Sequence, residues 1–215
     1  MNLPQSVSQF VNQYGAEIVR HTGEHLFLVG LSMGLALLLG LPLGILITRK
    51  PRWSKPVLGV ANVMQTIPSL ALFGFLIPLP LLGGIGTRPA IVALTLYSLL
   101  PIIRNTYTGI MGVDPAVREA GRGMGMTDWQ LLSQVEIPLA LGVILAGVRV
   151  ATVIAVGLAA IASPIGAGGL GDLIYRGIAV LDNQRILAGT IPAALIAIGL
   201  DVGFGWLEKK LTINH

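Results

Sequence analysis

The stretch of this sequence that most resembles a phosphate-binding fingerprint is Gly166 to Gly171, whose letters fit G-x-G-x-x-G. That pattern binds dinucleotides where it follows a β-strand and opens a helix within a βαβ unit. Here it follows an apolar stretch long enough to cross a membrane. We therefore interpret it as a turn leading into a short helix, Asp172 to Ala179, and we predict no cofactor-binding residues.

The residue types that most often perform catalysis or bind metals are sparse and scattered. The histidines, His21, His25 and His215, show no metal-ligand spacing, and the chain has no cysteine. No lysine follows a glycine, so the G-K-[ST] ending of a Walker A loop is missing. We predict no catalytic residues, no metal site and no nucleotide site, and we expect that the chain is not an enzyme.

The composition is that of a membrane protein. Hydrophobic residues make up 53% of the chain and charged residues 11%, whereas soluble domains contain about 25% charged residues. A spanning helix needs about 20 mostly apolar residues, so several spans would leave only short loops in a chain of 215 residues. The net charge of +4 is small and scattered, which does not indicate nucleic acid as a partner.

Five apolar stretches predict an all-α polytopic membrane protein with five transmembrane helices. The predicted spans are Leu26–Thr48, Val57–Pro80, Pro89–Gly112, Leu139–Ala162 and Ile186–Leu207. Residues 1–24 carry apolar side chains at helical spacing, which predicts an amphipathic segment on the membrane surface. Residues 25–210 then form the transmembrane domain, and residues 211–215 form a C-terminal tail.

The basic residues predict the orientation of the spans. If the N terminus lies outside, nine of the 14 lysines and arginines fall on the inner side: Arg49, Lys50, Arg52, Lys55, Arg104, Arg118, Arg122, Lys209 and Lys210. Four fall on the outer side, Arg20, Arg88, Arg176 and Arg185, and Arg149 lies within a span. Because cytoplasmic loops carry an excess of Lys and Arg, we predict an outer N terminus and an inner C terminus.

Charged residues within or beside spans are costly, which makes them functional candidates. Arg149 lies about ten residues into the fourth span, roughly 15 Å at helical rise. Asp201 lies in the inner half of the fifth span, and Arg104 lies close to the inner end of the third. We expect that Asp201 pairs with Arg149 or Arg104 and neutralises charge inside the bundle; contact with a substrate is the alternative.

Polar residues and a proline interrupt the second span and free backbone carbonyl groups. Irregular backbone at membrane depth is tolerated where it lines a cavity or is buried in protein. We therefore expect part of the translocation path at Met64, Gln65, Thr66, Pro68 and Ser69.

A polar segment, residues 114–138, separates the third and fourth spans. The pair Asp114–Pro115 is typical of a helix start, and Thr127 with Gln130 fits a capping box that opens a second helix. We expect two short helices joined by a bend at Gly125, lying against the inner face of the membrane. The proline that closes the segment is expected to end the second helix and to start the next span.

Small and apolar residues in this segment distinguish it from a solvated connecting loop, which is the alternative interpretation. The small residues are Ala120, Gly121, Gly123 and Gly125. The large apolar residues are Met124, Met126 and Trp129. Small residues allow a partner surface to approach closely, and exposed apolar side chains give that partner surface area to cover.

The segment resembles the EAA loop of ATP-binding-cassette (ABC) importer permeases. Glu119-Ala120-Gly121, Gly125 and the ending Val135-Glu136-Ile137-Pro138 match the spacing of that loop, with small or isosteric departures at positions 121, 135 and 137. The resemblance implies a type I ABC importer permease in the bacterial cytoplasmic (inner) membrane, whose loop docks into a groove on a separate ATPase subunit. The expected docking residues are Glu119, Ala120, Gly121, Gly125, Ile137 and Pro138 of the motif, together with the large apolar residues Met126 and Trp129.

Three further stretches resemble osmoprotectant importer permeases, which carry glycine betaine, choline or carnitine. They are Gln65–Leu70, Pro101–Tyr107 and Ser163–Asp172, and the resemblance runs from about residue 22 to residue 210. It implies a second permease, identical or homologous, and an extracytoplasmic binding protein that selects the solute. It also implies that ATP and Mg²⁺ bind to the ATPase. The alternatives are a permease for another small solute, such as methionine, and a self-sufficient channel or secondary transporter.

Overall fold

A computed structural model describes residues 3–211, with side chains from residue 8 onward; residues 212–215 of the predicted tail lie outside the described residues. The described residues form nine α-helices and no β-strand. The helices are α1 (Leu3–Arg49), α2 (Ser54–Thr66), α3 (Ser69–Leu76), α4 (Thr87–Met111), α5 (Pro115–Gly123), α6 (Asp128–Leu131), α7 (Ile137–Ile161), α8 (Leu170–Ala179) and α9 (Asn183–Leu211).

Four helical stretches of the described residues are long and apolar enough to cross a membrane. They are Ser8–Arg49, Thr87–Met111, Asp128–Ile161 and Asn183–Leu211. A bent pair, Pro51–Thr66 with Ser69–Leu76, makes a fifth if it counts as one span. The all-helical polytopic fold that the sequence predicted is therefore confirmed, with four or five spans.

The predicted second span is two helices that meet at 100°, not one straight helix. Ile67 has φ −69° and ψ 127°, because the ring of a following proline disfavours the helical conformation at the residue before it. Pro68 also lacks the N–H that would continue the helical ladder. Helix α3 ends at Leu76, four residues before the predicted end at Pro80.

Helix α1 runs through residue 24 without a break, so the predicted N-terminal segment and the first span form one helix. No proline lies between residue 4 and Pro42, so no such breaker stops the helix at the predicted boundary. The apolar face that contains Phe10, Tyr14 and Ile18 packs against α8 and the start of α9. The placement of this segment on a membrane surface stays a prediction.

Helices α1, α4 and α7 form the centre of the bundle, and small residues let them approach closely. A Cβ atom at Gly44 of α1 would lie 2.6 Å from the Cβ atom of Thr106 in α4. A Cβ atom at Gly147 of α7 would lie 2.5 Å from the Cβ atom of Asn105 in α4. Such close backbone contact replaces the hydrophobic driving force that is weak between helices in lipid.

Two polar segments lie at opposite ends of the bundle. The first, which we call the polar loop, is residues 114–138 and contains α5 and α6 between the end of α4 and the start of α7. The second, which we call the glycine-rich segment, is residues 163–182 and contains α8 between α7 and α9. The candidate site residues lie on the polar loop, at the bend between α2 and α3, and within α4, α7 and α9.

Candidate functional site

The first helix of the polar loop begins where the sequence predicted. The Asp114 carboxylate accepts the Ala116 N–H at 2.8 Å, which satisfies one unpaired donor of the first turn. Pro115 occupies the start of α5, where its missing N–H breaks no helical hydrogen bond. These contacts fix the start of α5 relative to the end of α4.

The end of α5 is closed by glycine in the left-handed conformation. Gly125 has φ +83°, a value that residues with a Cβ atom rarely adopt. Its N–H donates to the Arg122 carbonyl at 2.9 Å, and the Met126 N–H donates to the Gly121 carbonyl at 3.1 Å. These two hydrogen bonds form a Schellman motif, which sets the bend between α5 and α6.

Helix α6 begins with the predicted capping box but does not end as predicted. The Thr127 N–H donates to Gln130 Oε1 at 2.8 Å, and the Gln130 N–H donates to Thr127 Oγ1 at 3.3 Å. The chain then continues through a π turn, Leu132–Glu136, directly into α7. The expectation that Pro138 ends the second helix was therefore wrong. A proline ring crowds the carbonyl four residues earlier, and that carbonyl, on Gln134, lies in the wider π turn.

The eight predicted docking residues do not share one exposed face. Glu119, Ala120 and Gly125 are exposed, and Trp129 is 72% exposed. Gly121 is buried, and a Cβ atom there would lie 2.8 Å from Leu131 Cδ1 and 3.2 Å from Met126 Sδ. Ile137 and Pro138 are half-buried at the start of α7. The exposed surface of the loop therefore comprises part of the set, together with Met124, which is 77% exposed.

Sequence reasoning missed the ion pairs of Glu136. This carboxylate is 1% exposed and pairs with the guanidinium groups of Arg49 and Arg118. Arg49 is the last residue of α1, and Arg118 lies in α5. The available signal was a single acidic residue placed directly before the Ile-Pro start of an apolar span.

The predicted path residues lie at the bend between α2 and α3. Gln65 Nε2 donates to the Tyr97 carbonyl at 2.9 Å, and the Tyr97 hydroxyl donates to the Ile67 carbonyl. Tyr97 belongs to α4 and is 8% exposed, so its buried side chain fixes the bend to α4. Thr66 and Pro68 are exposed, and Met64, Gln65 and Ser69 are half-buried. The bend therefore presents polar groups at a fixed place on the surface of α4.

The charged residues of the spans form one close pair. Arg149 donates to both Asp201 oxygens, at 2.5 Å from Nε and 2.7 Å from Nη2. Glu208 Oε2 lies 3.9 Å from Arg149 Nη1. Arg104 is not part of this group, since its Nη2 donates to Asn62 Oδ1 at 2.7 Å. The pair thus neutralises the charge of Arg149 between α7 and α9, where both side chains are 38% exposed.

The G-x-G-x-x-G letters follow α7 and run into the first turn of α8, and they do not follow a strand. Glu24 Oε2 accepts the Gly169 N–H at 2.9 Å and lies 2.9 Å from His21 Nδ1. His21 Nε2 lies 3.6 Å from Asp172 Oδ2. These contacts hold the glycine-rich segment against α1. No group of three or more His, Asp or Glu side chains that could hold a metal occurs within the described part of the chain.

The chain matches a known protein family and named relatives. Residues 40–213 match the family described as binding-protein-dependent transport system inner membrane component. The osmoprotectant import permease protein OsmW of Salmonella typhimurium is 52% identical over 89% of this chain and 88% of the relative. The glycine betaine/carnitine/choline transport system permease protein OpuCB of Bacillus subtilis is 44% identical over 94% of this chain and 92% of the relative.

Solved structures show a similar fold. The MetNI methionine ABC transporter in an inward-facing conformation matches with a TM-score of 0.84 at 24% identity, over 99% of this chain and 100% of that one. An amino acid ABC transporter matches with a TM-score of 0.69 at 21% identity, over 99% of this chain and 98% of that one. At such identities the likeness concerns the fold alone.

Proposed function

This chain belongs to the family of binding-protein-dependent transport system inner membrane components, and from that premise we propose that it carries a small osmoprotectant such as glycine betaine, choline or carnitine. It is a multi-pass permease subunit of the inner membrane and not an enzyme. The observation that carries the choice of solute is the 43–52% identity, over nearly the whole chain, to permeases named for osmoprotectants, carnitine or choline.

The proposed orientation places the N terminus outside and the polar loop in the cytoplasm. The excess of lysine and arginine on the side of the polar loop supports this orientation. Arg49, Arg118 and Arg122 then lie at the cytoplasmic end of the bundle, close to the polar loop. The glycine-rich segment then faces outward, where an extracytoplasmic binding protein would deliver the solute.

The polar loop is the proposed EAA element that docks on the ATPase subunit. Met124 and Trp129, on either side of the Gly125 turn, are large apolar side chains that are 77% and 72% exposed, and exposed apolar area of this kind marks contact surfaces. The Schellman motif and the capping box give the loop a defined shape without a partner. ATP and Mg²⁺ would bind to the ATPase, whose closure would move the loop.

The translocation path is proposed to run beside the bend between α2 and α3, enclosed with a second permease that is identical or homologous. Thr66 and Pro68 are exposed there, and the Ile67 carbonyl is bound by Tyr97 instead of a helical N–H. Tyr97 is buried, so its ring is not available at the bend to a quaternary ammonium group. Selection of the solute is therefore assigned mainly to the binding protein.

Uptake by the reconstituted complex tests this function. Permease, ATPase and binding protein in proteoliposomes should accumulate radiolabelled glycine betaine, choline or carnitine when ATP is present on the ATPase side. Methionine should not be accumulated. Methionine uptake in place of these compounds would contradict the proposed solute class, and solute entry that is equally fast without ATP would contradict an ATP-driven importer and favour a channel.

A further inference from the structure

Glu136 is the one buried carboxylate among the residues that the structure describes, with 1% of its side chain exposed. It is the last residue of the π turn and lies directly before α7. A carboxylate is rarely buried unless it is paired, because leaving water costs much more for a charge than for a neutral group. We therefore infer the role of Glu136 from the residues with which it pairs.

Two guanidinium groups from different elements meet at this carboxylate. Arg49 Nη1 donates to Glu136 Oε1 at 3.3 Å, and Arg49 Nη2 donates to Oε2. Arg118 Nε lies 3.1 Å from Oε1. The two-point contact with Arg49 is a fork that a lysine could not reproduce.

Arg118 extends the junction to a fourth element. Its Nη2 donates to the Ile110 carbonyl near the end of α4, which also accepts the Val113 N–H at 3.2 Å. An apolar cluster lies at the same place, with Ile110 of α4, Leu132 of the π turn and Ile144 of α7. Leu41 and Ile45 of α1 pack against this cluster. The charged groups and the apolar cluster therefore tie α1, α4, α5 and α7 together at one point.

The π turn gives the junction its geometry. Each residue of a helix turns the next side chain by about 100°, so the extra residue of a π turn decides which face of the continuous α6–α7 helix Glu136 occupies. Here that face points to the end of α1. The polar loop is thus fastened by a buried ion pair at its base, while Met124 and Trp129 remain exposed on its far side.

We propose that Glu136, held by Arg49 and Arg118, is a positioning residue that transmits movement of the polar loop to α1, α4 and α7 as one unit. The inference rests on the proposed docking of this loop on an ATPase. A shift of α5 displaces Arg118. Arg118 contacts both Glu136 and the Ile110 carbonyl at the end of α4, so both move with it. Glu136 in turn acts on α1 through the Arg49 fork, so that spans of the path move together.

The test compares solute transported per ATP hydrolysed in proteoliposomes that contain the whole complex. Glu136→Gln keeps the shape but removes the charge, and it should lower this ratio by about tenfold while the ATPase still copurifies and still hydrolyses ATP. Arg118→Gln should lower the ratio in the same direction. The double variant should be no worse than Glu136→Gln alone, since the two residues act through one contact.

The matched control is Glu17→Gln, which removes a carboxylate at the opposite end of the bundle that lies 3.9 Å from Arg185. It should leave the ratio within about twofold of the wild type. A ratio for Glu136→Gln that is also within about twofold would overturn the proposal. If Glu136→Gln yields no assembled complex, Arg118→Gln, which keeps the Arg49 fork, is judged by the same limits.

Failure of the junction differs from failure of the proposed function. If the unmodified complex transports glycine betaine with ATP and Glu136→Gln does so at the same ratio, only the junction is overturned. If the unmodified complex shows no ATP-driven uptake at all, the proposed function is overturned, and the junction with it.

Discussion

The polar loop and the glycine-rich segment are both short structured links between spans, yet they direct their contacts differently. The glycine-rich segment is bonded to α1 near both of its ends, through Glu24 to Gly169 and through Tyr14 to Asp182, although Leu181 stays exposed. The polar loop is fixed at its base by Glu136 and leaves Met124 and Trp129 exposed. A segment that is anchored on one side and open on the other can receive a partner without losing its shape.

One glycine of each segment shows the two structural uses of this residue. In the glycine-rich segment, Gly171 lets α8 touch the end of α7, because a Cβ atom there would lie 2.0 Å from the Ala160 carbonyl oxygen. In the polar loop, Gly125 has nothing within 4 Å of a Cβ position but has φ +83°. Gly171 thus serves close packing and Gly125 serves a sharp turn, although each segment also contains a glycine of the other kind, Gly121 in the polar loop and Gly169 with φ +76° in the glycine-rich segment.

The largest expected effect is that of Gly171→Ala. The added methyl group would collide with backbone, which cannot move aside as a flexible side chain can. We expect a loss of about 3 kcal/mol in folding stability and a melting temperature in detergent that is lower by roughly 10 °C. Gly157→Ala is the control, since Gly157 lies on α7 with nothing within 4 Å. Equal melting temperatures for the two variants would show that the close contact between α8 and α7 at Gly171 does not contribute to stability.

A smaller effect is expected for Gly125→Ala in the polar loop. An alanine at this left-handed position costs about 1–2 kcal/mol, so the complex should fold but the bend between α5 and α6 should shift. Uptake should fall more than the melting temperature does, because the shift displaces Met126 and Trp129. Gly157→Ala, on α7 outside the loop and with nothing within 4 Å, should leave both unchanged. Unchanged uptake by Gly125→Ala would show that the shape of this turn does not matter.

The smallest expected effect concerns the pH dependence of the glycine-rich segment. The Tyr14 hydroxyl donates to Asp182, and so do the Arg185 and Gln184 N–H groups. These hydrogen bonds hold the pKa of Asp182 below its ordinary value of 3.8. A depressed pKa in the folded state stabilises the fold above the unfolded pKa, and this stability is lost as the pH falls through the folded pKa.

Asp182→Asn provides the measurement. The difference in melting temperature between wild type and variant should be constant above about pH 5 and should shrink as the pH falls below about 4. If the difference in melting temperature does not change with pH, the negative charge of Asp182 does not contribute to stability.

Local signals in the sequence predicted local structure well. The pair Asp114–Pro115, the Thr127 capping box and Pro68 each act within a few residues of themselves, so the helix starts in the polar loop and the interruption of the second span could be inferred. The continuity of α1 through residue 24 could not, because the polar residues there contact the glycine-rich segment and the start of α9, which are distant in the sequence.

Contacts between distant helices were harder to predict. Asp201 had two candidate partners, and only the packing of α7 on α9 distinguishes Arg149 from Arg104. The Glu136 junction depends on a π turn, for which the sequence has no clear sign, and on the ends of α1 and α4. Such contacts follow from the relative rotation of helices, which hydrophobic periodicity leaves open.

The central claim is that the polar loop docks on a separate ATPase, and introduced cysteines test it most directly. The chain has no cysteine, so Met124→Cys and Leu181→Cys each give one thiol, at positions 77% and 87% exposed on the polar loop and the glycine-rich segment. A short thiol-to-amine cross-linker applied to the assembled complex should join Met124→Cys to the ATPase and should not join Leu181→Cys to it. Cross-linking of the ATPase to Leu181→Cys, with none to Met124→Cys, would contradict the account.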